Sequence, residues 1–168
     1  MIKDNVRLLG IGLSLLLVTL AFATPFSNPT LTTYAQDNTS FANSIASLVK
    51  KAHDVSLSYT NETGKSGKGQ VDNKTKIAIT DSFKPKFQSL INEAKALQPP
   101  KQLQNATDLY IKSLESQLQS NNHYRSYLAT NNATENKLST KLLSDSSNYE
   151  FEAFKKFKDS GLFTIAPG

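Results

Sequence analysis

From residue 41 onward the apolar side chains return every three or four positions in four successive segments, the period that lines one face of an α-helix. In the first, Phe41, Ile45, Leu48, Val49, Ala52, Val55 and Tyr59 form one stripe behind a capping residue expected among Asn38, Thr39 and Ser40. The alternation Val55, Leu57, Tyr59 with Ile77 and Ile79 also fits a β-hairpin, but it covers only the end of a segment that the helical stripe spans completely. Residues 61–75 are polar, rich in Gly and Lys and without a period, which predicts a flexible loop. Ile79, Phe83, Phe87, Leu90, Ile91, Ala94 and Leu97 make the second stripe, which runs through Pro85. Apolar spacing upstream of that proline favours a helix starting near Lys74 and kinked at Pro85 over one starting near Ser82. Pro99-Pro100 end it, and Pro100 can open the next helix.

The third stripe is Leu103, Ala106, Tyr110, Leu114, Leu118, Asn121, Arg125 and Leu128. Asn132-Ala133-Thr134-Glu135 has the spacing of a capping box, and Leu138, Leu142, Tyr149, Ala153 and Phe157 then face one way. Leu143 and Phe154 widen that face, and Gly161 is a natural stop before a short tail, 161–168. Helices of roughly 23 to 29 residues joined by short turns predict an all-α, antiparallel up-down-up-down four-helix bundle with neighbours about 35 to 43 Å long.

Ahead of the bundle stands a different kind of chain. Lys3 and Arg7 precede Leu8 to Ala23, an uncharged run of 16 residues that breaks into Thr24-Pro25. A basic start, a short apolar run and small residues before a break are the layout of a secretory signal peptide, expected over residues 1–35. A spanning helix needs about 20 apolar residues, which favours a cleaved signal over a permanent anchor. Cleavage is expected after Ala35, with Ala23 as the alternative. Residues 24–37, holding Pro25, Pro29 and several Ser and Thr, belong to the leader or to a tether. The basic residues stay behind the apolar run, so a single domain, 36–168, is expected on the outer side, secreted or on the external face of the cell envelope. The membrane is then touched only through the leader, where it stays uncleaved.

The Thr33-Tyr34-Ala35-Gln36 segment is similar to the signal ends of many archaeal exported proteins. The Pro99-Pro100 turn followed by Leu103, Tyr110 and Leu114 resembles a pattern in uncharacterised exported helical-bundle proteins. That resemblance implies an exported helical fold and brings no activity with it.

Composition narrows the chemistry. Of the first 35 residues 19 are apolar, against 45 of the remaining 133, so the body has a lean core. It has no cysteine, which excludes disulfides, thiol nucleophiles, zinc ribbons and an acylated cysteine. The whole chain holds 14 Asn, 8 Gln, 19 Ser and 15 Thr, so its surface is wetted by neutral polar groups. Sequons at Asn38, Asn61, Asn73, Asn105 and Asn132 are candidate glycosylation sites, although about three would arise by chance.

No catalytic signature is found, and no cofactor or metal is expected. Gly64-Lys65-Ser66 lacks the first glycine of a phosphate loop, since Tyr59 stands there. His53 and His123 have no metal-ligating neighbours at helical steps, and solvent-facing histidines are expected. Glu150 and Glu152 point about 200° apart on a helix, too far to share a proton. From Gln36 onward, 17 basic and 13 acidic residues leave +4, with lysines spread along every helix and a single arginine. That spread argues against nucleic acid; Lys65, Lys68, Lys74 and Lys76 in the loop, and Lys155, Lys156 and Lys158 near the end, are mild concentrations that read first as solvated faces, with weak attraction to acidic envelope components as the functional alternative.

The expected function is therefore non-catalytic surface interaction, with an acidic envelope component or another protein as partner. The least ordinary feature is the polar end of the third stripe, where the period carries Asn121 and Arg125 towards the core. With Tyr124, Tyr59, Lys65 and Lys68 nearby, this end forms a candidate site for a small anionic ligand or a metal. The simpler reading pairs Arg125 with Glu62 or Asp81 at a frayed bundle end.

Overall fold

The computed structural model describes residues 18–19, 29–64, 71–161 and 164–165. The fold is a bundle of four helices: α1 Pro29–Gly64, α2 Asn73–Ala96, α3 Gln104–Thr130 and α4 Ala133–Asp159. A 3-10 turn, Lys101–Leu103, joins α2 to α3, and a two-residue pairing of β1, Val18–Thr19, with β2, Thr164–Ile165, completes the regular structure among the described residues. No helix among them is long and apolar enough to cross a membrane. Most of the run Leu8 to Ala23 lies outside the described residues, as does residue 24, the first after the alternative cleavage point.

Local chemistry explains most helix ends. α1 begins at Pro29, where a missing N–H costs nothing, and not at the polar residues 38–40 where a cap was expected. It therefore covers Ala35 and most of the expected tether, and it runs on to Gly64, taking the first residues of the expected 61–75 loop. α2 takes the last of them: the Asp72 side chain caps it by accepting from the Thr75 N–H at 2.7 Å. Its start at Asn73 agrees with the stripe upstream of Pro85, which sits inside the helix and offers no N–H to the Asp81 carbonyl. Asn131 turns the chain between α3 and α4 at φ 55°, a left-handed conformation that Asn tolerates better than most residues. Gly161, φ 73°, closes α4 with its N–H on the Lys158 carbonyl at 3.0 Å, as the stop expected there.

The capping box forms only in half. Asn132 Oδ1 accepts from the Thr134 N–H at 2.9 Å, but the Asn132 N–H goes to Thr130 Oγ1. Glu135 turns instead to His123 Nδ1, 2.7 Å away. An imidazole on the neighbouring helix takes the carboxylate in place of the local backbone donor.

The core is built in two ways. α1 and α2 meet through bulky residues, with Ile45, Leu48, Phe83, Phe87, Leu90 and Ile91 almost fully buried. The Tyr59 ring lies 5.5 Å from Phe83 and 5.9 Å from Phe87. α3 and α4 make the most extensive close approach in the molecule, and small residues allow it. Ala106, Ser113 and Ser120 on α3, and Ser139, Ser146 and Ala153 on α4, recur at seven-residue steps and are all buried. Ser113 and Ser146 hydroxyls lie 3.2 Å apart, and Ser120 Oγ donates to the Ser139 carbonyl at 2.8 Å.

This seam corrects the expected α4 face. Leu138 and Tyr149, assigned to the core stripe, are 38% and 36% exposed. Helices this close leave no room for Leu or Tyr at the contact line, so the helix turns to bury its serines and Ala153, keeping Phe157 at its end against Phe41, ring to ring 6.3 Å.

Candidate functional site

The candidate anion site lies where the C-terminal half of α1, the N-terminal half of α2 and the C-terminal end of α3 converge. Arg125 does not enter the core. Its guanidinium stays at the surface and clasps Asp81 with two bonds, Nε to Oδ1 at 2.6 Å and Nη2 to Oδ2 at 2.9 Å. Both side chains are more than two-fifths exposed, 42% and 46%. The Arg125 bond holds the Asp81 carboxyl below the usual carboxylate range and raises the guanidinium in turn. Of the two acidic partners the sequence offered, Asp81 is the one engaged.

Asn121 and Tyr59 do enter the interior. The Thr80 hydroxyl gives its single proton to the Lys76 carbonyl at 2.8 Å, so Tyr59 donates to Thr80 Oγ1 across 3.1 Å. Burial raises the Tyr59 phenol to about 12, with the Thr80 bond opposing and Tyr124 adding to the rise. Tyr124 is half-buried and raised by burial, its ring 6.5 Å from Tyr127. Asn121 is 8% exposed, and its Nδ2 has no acceptor among the described residues. The structure thus brings Tyr59, Asn121, Tyr124 and Arg125 to one end of the bundle; Lys65 and Lys68 lie outside the described residues.

His123 is correspondingly more engaged than a solvent-facing residue, since Glu135 on α4 meets it and leaves 35% of its side chain exposed. Helical spacing on one chain segment cannot reveal such a partner. The same holds for Gln117, whose Nε2 donates to Ser56 Oγ on α1 at 2.9 Å. Buried serines and threonines would be candidate nucleophiles by type, but Ser113, Ser120, Ser139, Ser146, Thr80 and Thr107 are each hydrogen-bonded within the bundle. Among the described residues no three of His, Asp and Glu gather as a metal site would require.

Two features stand apart from this end. Tyr110, 1% exposed and stacked on Phe154 at 5.9 Å, carries a hydroxyl without a partner among the described residues. Burial pushes its phenol pKa far up and the nearby Glu150 charge pushes it further; Glu150 keeps surface exposure along its chain, yet crowding of its carboxyl raises its own pKa. An open groove of about 470 Å³ lies between the end of α2 and the start of α3, lined by Ala94, Leu97, Pro99, Thr107 and Ile111 and spanned at its edge by Lys95 and Glu115, 2.6 Å apart.

The possible glycosylation residues Asn61, Asn73, Asn105 and Asn132 are exposed on or beside helices, and the Asn38 side chain lies outside the description. Comparison with known proteins finds no family model that matches the chain, and no significant similarity to a curated protein or a solved structure.

Proposed function

We propose that this chain is an exported, non-catalytic helical bundle that works by surface interaction at the outer face of the cell envelope or beyond it. The observation that carries the reading is the N-terminal layout: Lys3 and Arg7, then the uncharged run Leu8 to Ala23, then Thr24-Pro25. The likeness to exported helical proteins belongs to the same reading. Its non-catalytic part is supported by how the polar groups are spent. Arg125 holds Asp81, His123 meets Glu135, and the buried serines bond one another. The antiparallel up-down-up-down order is supported by partners such as Tyr59 with Thr80, Lys51 with Glu93, Ser113 with Ser146 and Ser120 with Ser139, in which one residue number rises as the other falls.

Fractionation of the native source, with N-terminal sequencing, tests export. A processed chain in the medium or at the cell surface is expected, and an intact chain in the cytosol sinks the proposal. Sequencing also separates the two cleavage points. Cleavage after Ala23 leaves α1 whole, whereas cleavage after Ala35 cuts within it.

A second reading, a binding module for a small anion at the Arg125 end, is favoured by one observation, the buried Asn121 Nδ2 donor that lacks an acceptor among the described residues. Unchanged anion binding across a ligand screen in Arg125→Ala and Asn121→Ala would remove it.

A further inference from the structure

The sequons look alike in sequence, and the structure separates them. The motif demands a hydroxyl at its third position, so a transferring enzyme must reach both the Asn amide and that hydroxyl. Helical surroundings withhold the second. In Asn61-Glu62-Thr63, near the end of α1, the Thr63 hydroxyl donates to the Tyr59 carbonyl at 2.7 Å. In Asn73-Lys74-Thr75, at the start of α2, the Thr75 hydroxyl is drawn to the Asp72 carboxylate that caps the helix. In Asn105-Ala106-Thr107, at the start of α3, Thr107 is 2% exposed and donates to the Leu103 carbonyl at 3.0 Å. The Asn38 side chain lies outside the described residues.

Asn132-Ala133-Thr134 is built differently. Asn132 stands outside the helices, in the short link between α3 and α4, with an extended backbone. Both Asn132 and Thr134 are exposed, and the Thr134 hydroxyl has no partner among the described residues. The turn also presets the motif, because Asn132 Oδ1 accepts from the Thr134 N–H at 2.9 Å and so folds the amide back towards the threonine. That bond uses the oxygen. Nδ2, the atom a sugar joins, keeps both protons and has no acceptor among the described residues. Since a glycosylated amide retains its oxygen, the cap of α4 survives the modification.

We infer that Asn132 carries an N-linked glycan, transferred from a lipid-linked sugar donor on the outer side of the membrane. The inference rests on the export reading, because it is a body delivered across the membrane that meets such a donor. In the transfer Asn132 Nδ2 attacks the anomeric carbon of a sugar held on a lipid phosphate or diphosphate. The N–C bond forms as the C–O bond to phosphate breaks, the phosphate leaves with that electron pair, and the amide gives up one proton to a base of the enzyme.

The test is peptide mapping by mass spectrometry on the protein purified from its native source, with its N-terminus sequenced. Trypsin cutting after Arg125 and Lys137 releases residues 126–137, in which Asn132 is the one sequon. That peptide should carry a sugar mass, and those holding Asn61, Asn73 and Asn105 should be bare. A bare 126–137, or sugar on the other three in its place, overturns the assignment. Variants made in the same source show whether the sequon itself is read. Thr134→Ala should lose the mass increment and Thr134→Ser should keep it. Ala133→Pro should lose it as well, and since Ala133 is the first residue of α4, a position that accepts proline, its circular dichroism should match the wild type. A sugar that survives both Thr134→Ala and Ala133→Pro is attached by some other chemistry and overturns the transfer. An exported, processed chain with a bare Asn132 sinks this inference alone, whereas an intact cytosolic chain sinks the export reading beneath it.

Discussion

The α1–α2 half and the α3–α4 half solve the same problem, burying one face of a helix, with opposite materials. Between α1 and α2 the space is filled by Phe83, Phe87, Tyr59, Leu48 and Leu90. Between α3 and α4 it is removed, by Ser113, Ser120, Ser139, Ser146, Ala106 and Ala153, so that backbones approach and hydroxyls bond across the gap. A lean apolar composition thus still makes a bundle, because one seam needs few large residues. The difference also predicts opposite responses to a change in side-chain size.

Deletion should hurt most in the aromatic half. Phe87→Ala should cost about 3–5 kcal/mol, since the ring is almost fully buried against Tyr59 and the site cannot collapse around the gap. Urea denaturation followed by circular dichroism checks this. A loss below that of a surface substitution would show the aromatic cluster is not where the stability resides.

The serine seam should tolerate deletion and resist growth. Ser146→Ala removes a bond of 2.9 Å to the Ser113 carbonyl and should cost about 1 kcal/mol. Ser146→Leu must push α3 and α4 apart and should cost more, about 1–3 kcal/mol beyond the lost hydrogen bonds. The same melt measures both. If the Leu variant is the more stable of the two, the close approach is not what the serines are for.

How legible these halves were in the sequence follows from the same contrast. Period-matched Phe and Leu announce a face, so the α1 and α2 stripes, and the helical stretch upstream of Pro85, were readable. Serine at a seven-residue step carries no such signal, because on most helices it marks the wet side. The period therefore assigns Leu138 and Tyr149 to the core and passes over Ser139 and Ser146. The candidate site was legible for the one pair that charge alone suggests, Arg125 with Asp81. His123 with Glu135 and Gln117 with Ser56 depend on which helices become neighbours, which no single helical face encodes.

The Arg125–Asp81 clasp ties α3 to the aromatic half from outside, and it should matter little at neutral pH because both groups are exposed. Its signature is in acid. The folded Asp81 pKa is depressed, so its contribution is complete above the unfolded value near 4 and is lost as pH falls through the folded one. Asp81→Asn should therefore be less stable than the wild type around neutrality and match it in strong acid. Parallel stability–pH curves, displaced equally at every pH, would mean that the carboxylate charge contributes nothing.

Tyr110 is where the two packing styles meet, and it gives the smallest effect with the most informative sign. Its ring belongs to the large-residue style, stacked on Phe154, but it stands on α3 between the small residues Ala106 and Ser113. Among the described residues the tyrosine hydroxyl has no acceptor, while the serines on either side of the seam bond each other. An unmet buried hydroxyl carries a desolvation penalty of about 1–3 kcal/mol, against which deleting the oxygen forfeits only a little packing. Tyr110→Phe should therefore leave the protein unchanged or more stable by up to about 1 kcal/mol, whereas truncating any other large core ring destabilises it. A clear loss of stability in Tyr110→Phe would mean that the hydroxyl has an acceptor after all, with the Glu150 charge acting on it, and that the contrast between a filled half and a closed half breaks down at this position.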